Sequence, residues 1–459
     1  MERWLQNAVD YTESWLEFQM RQTGQPGCSF AVAYKGRVVF EKAFGYANIQ
    51  SGERLTPRHR FRVASHSKTF TAAAILKLRE AGKLNLDDPV GRYVDGLHID
   101  VAAVTLSQLL SHGGGVIRDG ADASQWSEER PFADKEKLLA DLANGLVIPA
   151  NTRMKYSNHG FGLLGLVIEA ITGESFSSWV SKNVVVPSKL KETSPDGPID
   201  STIPKARGHS AEFPLGYRVI IPGENETNAL APATGFVSTA ADLATFFASL
   251  DPAAKRSVLT PESRRAMQHK QWKDPHGGGP FDTHYGLGMI IGNSEDWAWA
   301  GHAGIFPSAL SFTYMLPGRD LCFSILTNAL DSPVISWADG VLNILKVFGT
   351  NPLPNAQTRL WKGRWWGMFQ PQPRDLVPFG DQVLVASPGQ LDPFAGADEI
   401  TVTDKKLGFI SLSGGYWSYG EDARLVMTKD SKVKEVWLGG FRMDSERKMK
   451  ADLKRKYET

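Results

Sequence analysis

The stretch "FRVASHSKTFTAAAILKLREAGKL", residues 61–84, predicts a long buried helix that begins with reactive side chains. Its centre, Phe70 to Leu78, is apolar and rich in alanine, and Gly82 provides a C-terminal stop. Ser65 precedes Lys68 by three positions, so a helical spacing places the hydroxyl and the amine on one face. A helix start favours developing negative charge, and a lysine in apolar surroundings loses its proton readily. The segment therefore predicts an activated serine nucleophile.

This serine–lysine spacing is common, so the surroundings of each pair must distinguish a functional pair from a chance match. Three other pairs share it: Ser188 and Lys191, Ser431 and Lys434, and Ser445 and Lys448. Ser65 alone lies at the front of a long apolar helix, where unpaired backbone N–H groups are available. Taken without that context, Ser65 also fits a helix N-cap, and Lys68 fits a side chain that reaches solvent.

A second segment, "MKYSNHGFGLLGLVIEAITG" at residues 154–173, places polar residues ahead of another apolar helix. Tyr156 begins the turn into this helix, where its side chain can project over a cleft. A phenol close to an ammonium ionises more easily and can pass a proton between the serine and a leaving group. Asn158 offers a donor and an acceptor for a substrate amide. The alternative is a tyrosine that packs on the core, with Asn158 as a helix cap.

A third segment, "WAWAGHAGIFPSAL" at residues 297–310, contains a His-Ala-Gly sequence where one predicted strand ends and the next begins. Gly304 at its end would let a substrate backbone approach closely. The remaining histidines of polar stretches are expected at the surface: His59, His98, His209 and His269. No cluster has the spacing of metal ligands and no glycine loop has a phosphate-binding context, so neither a metal nor an organic cofactor is expected.

The composition excludes several classes of function. With 459 residues, of which 42% are hydrophobic, the chain is expected to be globular with two or three domains. Its 51 basic and 50 acidic residues give a net charge of +1, which favours neither a nucleic acid nor a membrane as a partner. Cys28 and Cys322 are expected to be buried free thiols. Because no signal peptide is visible, a cytoplasmic location is expected.

The pattern of elements predicts an α+β domain at residues 1–350 and a small all-β barrel at residues 356–459. After a first amphipathic helix and a hairpin around Lys35 and Gly36, helices are predicted at 106–111, 135–144, 160–171, 240–250 and 334–347, and strands at 298–300, 309–316 and 321–327. Strands near both ends, with helices between them, indicate an antiparallel sheet built from both ends of the domain and a helical subdomain. A linker at 348–358 separates this domain from short β-like runs. The glycine-rich segment 272–282 either lines a site or is a tolerated insertion.

These motifs in this order resemble the serine beta-lactamase-related family, which includes class C beta-lactamases, DD-peptidases, D-aminopeptidases, esterases and amidases. The resemblance covers most of residues 1–350 and includes "VTLSQLLSHGGG", "APATGFVSTAADLATFF" and "GHAG". It implies a beta-lactamase/transpeptidase-like fold. The C-terminal segment, which begins with "KGRWWGMF", resembles a lipocalin-like barrel.

The resemblance implies a role for each matching residue. Ser65 would be the acylated nucleophile, with Lys68 and Tyr156 as the base pair. The implied substrate-binding residues are Asn158, His302, Ala303 and Gly304. The backbone N–H groups of Ser65 and Ile305 would form the oxyanion hole.

The third motif departs from penicillin-recognising relatives, which usually carry Lys-Thr-Gly. His302 is mostly neutral near pH 7 and Ala303 lacks a hydroxyl, so the D-aminopeptidase and peptidase/esterase branches are the nearest. The run Gly113–Gly115 also departs from the family pattern and has no assigned role. The expected function is hydrolysis of a small amide, short peptide or ester through a Ser65 acyl-enzyme, with a homo-oligomer possible. The alternatives are an acyltransferase, a beta-lactamase or DD-carboxypeptidase, and a catalytically silent binding protein.

Overall fold

The computed structural model describes residues 1–196, 202–213, 215–274, 282–368, 372–412 and 418–458, and these residues pack into two compact units. The sheet–helix unit is Gln25–Ile335, and the helix–barrel unit combines Met1–Gly24 with Ser336–Thr459. Packing therefore groups the first helix and most of the helix before the linker with the barrel. The sequence-based boundaries 1–350 and 356–459 describe modules along the chain and stay a prediction.

Eleven α-helices are present in the described residues. They are α1 Arg3–Thr23, α2 Ser67–Glu80, α3 Ile99–Ala102, α4 Leu106–Leu110, α5 Lys135–Leu142, α6 Asn158–Thr172, α7 Phe176–Val180, α8 Ala240–Ser249, α9 Pro261–Met267, α10 Val334–Thr350 and α11 Glu446–Tyr457. None of them is, by itself, long and apolar enough to span a membrane, although α6 and the following bent helical segment Phe176–Val185 pass that test of length and composition together.

The described strands fall into a large sheet, a barrel and two small sheets. In the sheet–helix unit they are β1 Gly27–Tyr34, β2 Arg37–Asn48, β3 Glu53–Arg54, β4 Phe61–Arg62, β5 Ser194–Pro195, β6 Gly208–His209, β7 Ile220–Ile221, β8 Phe236–Ser238, β9 Trp272–Lys273, β10 His284–Tyr285, β11 Ile290–Ser294, β12 Trp297–Phe306, β13 Ala309–Leu316 and β14 Leu321–Thr327. In the helix–barrel unit they are β15 Gly363–Trp365, β16 Arg374–Phe379, β17 Gln382–Ala386, β18 Asp398–Asp404, β19 Leu407–Leu412, β20 Asp422–Met427, β21 Val433–Leu438 and β22 Phe441–Asp444.

The large sheet has nine antiparallel strands in the order β3-β2-β1-β14-β13-β12-β11-β10-β9. Its first hairpin turns at Lys35 and Gly36, whose positive φ angles of 52° and 72° suit the right-handed twist of the flanking strands. The sheet is completed when Cys28 on β1 pairs with Thr327 on β14, so both ends of the unit contribute to it. This arrangement confirms the predicted α+β class. Both cysteines are free and buried, also as predicted.

Helix α2 runs through the core of the sheet–helix unit. Its Phe70 ring stacks between Phe236 and Phe246, with ring centroids 4.4 and 3.9 Å apart, respectively. Eleven of its fourteen residues are buried, including Lys68. A helix with so little exposed surface is stabilised by packing rather than by its own propensity. The turn that precedes α2 is thereby fixed to the core.

The C-terminal strands form an antiparallel, nearly closed eight-stranded barrel in sequential order. The ends of the first and last strands meet where Trp366 and Asp444 exchange two backbone hydrogen bonds of 2.8 and 2.9 Å. Trp361 and Trp365 are buried in the barrel core. The small all-β barrel predicted after the linker is confirmed.

Candidate active site

Ser65 lies in a tight 3₁₀ turn, Ala64–His66, between β4 and α2. Ala64 has a φ of 45°, a left-handed conformation that is costly for a residue with a Cβ. The Ser67 hydroxyl stabilises this turn, since it donates to the Ala64 carbonyl at 2.5 Å and accepts from the Phe236 N–H at 3.0 Å. The strained turn leaves the Ser65 side chain only half-buried, so a substrate can reach it.

Lys68 lies in the first turn of α2, directly after the turn that carries Ser65, and is fully buried. Its Nζ lies 3.1 Å from Ser65 Oγ, 2.7 Å from Asn158 Oδ1 and 2.9 Å from the carbonyl oxygen of Ala233. It also lies 4.7 Å from the centre of the Tyr156 ring. The structure therefore brings the predicted nucleophile and its predicted base into contact.

The three partners of Lys68 can satisfy an ammonium, through three donors, and also an uncharged amine. A neutral amine has two N–H donors and one lone pair; Asn158 Oδ1 and the Ala233 carbonyl can take the donors, which leaves the lone pair for the Ser65 hydroxyl. Burial is the main cause that holds the pKa of Lys68 well below its usual value. Arg118 lowers this pKa further, and Asp119 opposes the shift.

Tyr156 donates its hydroxyl to Ser65 Oγ at 2.8 Å, from the turn that precedes α6. The N-cap of α6 is Ser157, whose Oγ accepts the Gly160 N–H, so the alternative of Asn158 as the cap is wrong. The expectation that Tyr156 ionises more easily is also wrong. Burial raises the pKa of Tyr156 and outweighs the opposing effects of Ser65 and Arg118. Tyr156 is therefore a proton donor to the serine oxygen in the resting site.

Asn158 connects Lys68 to a buried carboxylate that the sequence did not reveal. Its Nδ2 donates to Asp119 Oδ1 at 2.7 Å while its Oδ1 accepts from Lys68. Asp119 is 6% exposed and also accepts from the Arg118 Nε at 3.0 Å. Both ends of the Asn158 amide are thus used inside the protein. Its predicted contact with a substrate amide stays a prediction.

His302 lies inside a continuous strand. The sequence placed it between two strands because its neighbours include two glycines, but β12 runs from Trp297 to Phe306. Its Nδ1 lies 2.7 Å from the Ala303 carbonyl and its Nε2 lies 2.9 Å from the Tyr285 hydroxyl. A carbonyl accepts only, so Nδ1 carries the proton and Nε2 accepts from Tyr285. Burial holds the pKa of His302 well below its usual value, which keeps the ring neutral.

Gly304 lets β12 pack closely against the turn that carries Ser65. A Cβ at Gly304 would lie 2.3 Å from the Val63 carbonyl oxygen and 2.4 Å from Ser311 Oγ. This packing therefore requires a residue without a side chain at position 304. The predicted contacts of Ala303 and Gly304 with a substrate, and the predicted oxyanion hole from Ser65 and the 62% exposed Ile305, stay predictions.

His112 supports the turn that carries Tyr156, a role that the sequence around it does not indicate. Its ring lies 4.1 Å from the Tyr156 ring, and its Nδ1 accepts the Ser157 N–H at 3.1 Å. The following glycines permit close packing, since a Cβ at Gly115 would lie 2.1 Å from the Ile148 carbonyl oxygen. The Gly113–Gly115 run thus has a structural explanation.

Two other expectations, on the surface histidines and on the glycine-rich segment, have different outcomes. His59 and His209 are 4% and 0% exposed, so the expectation that they lie at the surface is wrong. Of the glycine-rich segment 272–282, residues 275–281 lie outside the described residues. Within the described part of the chain, no group of three or more His, Cys, Asp or Glu side chains could hold a metal ion.

Comparison with known proteins assigns the class. Residues 6–345 match the Beta-lactamase family, and the chain belongs to that family. The protein flp of Staphylococcus aureus (strain MW2) is 24% identical over 324 residues, which are 68% of this chain and 61% of the relative. The match therefore spans less than two thirds of that relative's length.

Two solved structures share the fold. The octameric penicillin-binding protein homologue from Pyrococcus abyssi has a TM-score of 0.68 at 23% identity, covering 95% of this chain and 100% of its own. A D-amino acid amidase from Ochrobactrum anthropi SV3, complexed with L-phenylalanine amide, has a TM-score of 0.63 at 22% identity, covering 75% of this chain and 99% of its own. The resemblance derived from the motifs is confirmed, and so is the beta-lactamase/transpeptidase-like fold.

Proposed function

We propose that this protein is a serine hydrolase that cleaves a small amide, short peptide or ester through an acyl-enzyme on Ser65. The observation that carries the proposal is the position of Lys68, whose Nζ lies 3.1 Å from the serine oxygen in a fully buried environment that favours the neutral amine. A neutral amine at that distance is a general base for the hydroxyl.

In the first half-reaction, Ser65 Oγ attacks the substrate carbonyl and its proton passes to Lys68 Nζ. The carbonyl oxygen becomes an oxyanion, for which the N–H groups of Ser65 and Ile305 are the proposed donors. Tyr156, whose hydroxyl is 2.8 Å from Ser65 Oγ, gives its proton to the leaving nitrogen or oxygen and is reprotonated by Lys68. The products are an ester on Ser65, a free amine or alcohol, and a neutral Lys68.

In the second half-reaction, water replaces the leaving group. Lys68 takes one proton from the water as the water oxygen attacks the carbonyl carbon of the Ser65 ester. Lys68 then returns that proton to the released serine oxygen. The bond between Ser65 and the acyl group breaks, and a carboxylic acid leaves. This sequence predicts kinetics in which the first product is released before the acid.

The third motif bears on the substrate class. His302 is neutral and its ring nitrogens are bound to Tyr285 and Ala303, so this motif offers no cation to a substrate carboxylate. This supports amides and esters over beta-lactams and peptides with a free C-terminal carboxylate. The fold shared with a D-amino acid amidase supports D-amino acid amides as the first substrates to test.

Covalent labelling tests the nucleophile. A fluorophosphonate probe should add one mass increment to the intact wild-type protein and none to Ser65→Ala. Ser188→Ala is a matched control, because Ser188 has the same spacing to Lys191 and its Oγ has no hydrogen-bond partner in the described residues. Labelling of Ser65→Ala at the wild-type level would refute the assignment.

Turnover tests the substrate class. D- and L-amino acid amides, nitrophenyl esters and nitrocefin should be compared on one preparation, with Ser65→Ala as the blank. We expect the best amide or ester to turn over faster than nitrocefin. Nitrocefin hydrolysis at an equal rate would favour a beta-lactamase.

The oligomeric state and the location of the protein are further proposals, which rest on a homologue and on the sequence, respectively. The octameric homologue supports a homo-oligomer of this chain, which light scattering can test. The cytoplasmic location and the absence of nucleic-acid and membrane partners stay predictions from the sequence.

A further inference from the structure

His66 directly follows Ser65 and has no part in the chemistry above, although its ring is completely buried. The ring packs edge-on against Phe247 of α8, with centroids 5.5 Å apart, and lies 6.0 Å from the His302 ring. A polar ring in a protein core is tolerated only when its nitrogens are hydrogen-bonded. The partners of the two nitrogens show which parts of the fold the ring connects.

The Nδ1 atom of His66 closes the turn that carries Ser65. It lies 3.1 Å from the carbonyl oxygen of Val63, which also accepts the backbone N–H of His66 at 3.1 Å. Because a carbonyl only accepts, Nδ1 carries the proton. The Val63 carbonyl oxygen therefore has two donors from one residue, and both hold the turn closed around the strained Ala64.

The Nε2 atom of His66 connects the same turn to β13. It accepts from Thr313 Oγ1 at 2.9 Å, and Thr313 Oγ1 lies 2.9 Å from Ser324 Oγ on β14. A neutral imidazole has one donor and one acceptor, so Val63 and Thr313 use both. Burial lowers the pKa of His66 to about 3, so the ring is neutral near pH 7.

Strand β12, which carries Ile305, meets the His66 ring as well. Gly304 on β12 pairs with Ser311 on β13. Ser311 Oγ lies 3.3 Å from His66 Nδ1, and a Cβ at Gly304 would lie 3.0 Å from that same atom. The His66 ring therefore lies where the turn of Ser65 meets the β12–β13 hairpin.

We propose that His66 is a positioning residue that fixes the backbone N–H groups of Ser65 and Ile305, the two donors of the proposed oxyanion hole, relative to each other. One side of the imidazole is bonded to the turn of Ser65, and the other side is bonded to the hairpin that carries Ile305. An oxyanion hole is effective because its donors are in place before the negative charge develops. This inference rests on the acyl-enzyme mechanism proposed above.

Thr313→Val tests the inference, because valine has a similar shape and lacks the hydroxyl that donates to His66 Nε2. We expect kcat/KM for the best ester to fall about 10- to 100-fold with KM nearly unchanged, since misplaced donors weaken binding of the transition state alone. Inhibition by phenylboronic acid, which forms a tetrahedral adduct on a serine, should weaken by a similar factor. Thr12→Val is the matched control and should behave as wild type, because Thr12 is 1% exposed and donates within α1 to the Ala8 carbonyl.

His66→Leu, alone and combined with Thr313→Val, tests whether the two residues act through one contact. The double variant should be no slower than His66→Leu, because the Thr313 hydroxyl has no imidazole left to hold. If His66→Leu does not fold, Thr313→Val decides by itself.

The inference is overturned if folded Thr313→Val keeps the wild-type kcat and boronate affinity, if KM alone rises, or if the losses in the double variant add. These results leave the proposed function untouched as long as wild type is labelled at Ser65. A wild-type protein without that label would instead refute the proposed function, and the role of His66 with it.

Discussion

The fully buried Lys68 of the sheet–helix unit and the half-buried Arg364 of the helix–barrel unit have opposite surroundings. Lys68 in the sheet–helix unit contacts two neutral oxygen acceptors and a serine hydroxyl, while Arg364 in the helix–barrel unit is bound through two hydrogen bonds to Asp375. Burial lowers the pKa of Lys68, whereas the bonded carboxylate raises the pKa of Arg364 despite burial. A buried cation with a carboxylate in contact is held in its charged form. Lys68, whose hydrogen-bond partners are all uncharged, is the proposed base.

Lys68→Arg should have the largest effect, because it puts a permanent cation where a neutral amine is proposed. Arginine does not lose its proton in proteins, so it cannot accept the Ser65 proton. We expect the rate of acylation to fall by about 100- to 10,000-fold, the usual contribution of a general base. The measurement is the rate of fluorophosphonate labelling, with circular dichroism to verify the fold. An arginine variant that labels at the wild-type rate would show that acylation does not need a neutral amine at position 68.

Asp375→Ala should have the next largest effect, on stability and not on catalysis. It leaves the half-buried Arg364 guanidinium without its carboxylate, which costs about 1–3 kcal/mol, because part of the side chain reaches solvent and Arg364 still donates to the Ser14 carbonyl. Hydrogen exchange of the barrel strands should report the loss, while turnover of a small ester stays at the wild-type rate.

The matched control for Asp375→Ala removes both charges. Arg364→Met combined with Asp375→Leu keeps similar volume without an unpaired charge, and it should restore most of the stability. If the double variant is as unstable as Asp375→Ala, the pair stabilises the unit in another way.

Asp119→Asn should move the pH dependence of acylation without abolishing it. The amide oxygen of asparagine can still accept from Asn158, but the negative charge that raises the pKa of Lys68 is gone. In the proposed mechanism the active form is the neutral amine, so the rate should rise with pH as Lys68 loses its proton. A lower pKa of Lys68 moves this rise to lower pH. Labelling rates across a pH series would measure the shift, and a shift to higher pH would contradict the sign.

Arg118→Gln should shift the same profile in the opposite direction and by less. Arg118 lowers the pKa of Lys68, so its removal moves the rise in rate to higher pH. Its side chain is 63% exposed, and solvent screens much of its effect. Arg92→Gln is the matched control, because Arg92 is also 63% exposed. An equal shift in both variants would indicate a general effect of net charge.

Local pattern predicted the elements that the core requires. The bounds of β13 and β14 are those predicted, because each is a continuous apolar run between clear turns. The extent of β12 was missed, because Gly301 and Gly304 resemble strand breaks in sequence. In the structure both glycines allow close backbone packing, with the Thr313 and Val63 carbonyl oxygens lying where a Cβ would be.

The residues that complete the site were not visible in the sequence. Asp119 and Tyr285 lie far from Ser65 along the chain and stand in no motif, and His112 lies in the "VTLSQLLSHGGG" stretch without an assigned role. Their roles depend on burial and on contacts made by the folded chain. Tyr156 is a further example: its place near the serine was predicted, but the direction of its pKa shift was predicted wrongly, because the sequence does not show how deeply the phenol is buried.

The pairing of β1 with β14 has a consequence for synthesis of the chain. Cys28 pairs with Thr327, so the central ladder of the large sheet joins segments roughly 300 residues apart. At about 5–20 residues per second, a ribosome needs roughly 15–60 seconds to make the segment between them. During that interval the β1–β2 hairpin has an unpaired edge, which is a template for association with other chains. The barrel, by contrast, pairs each strand with the next and can form as it emerges.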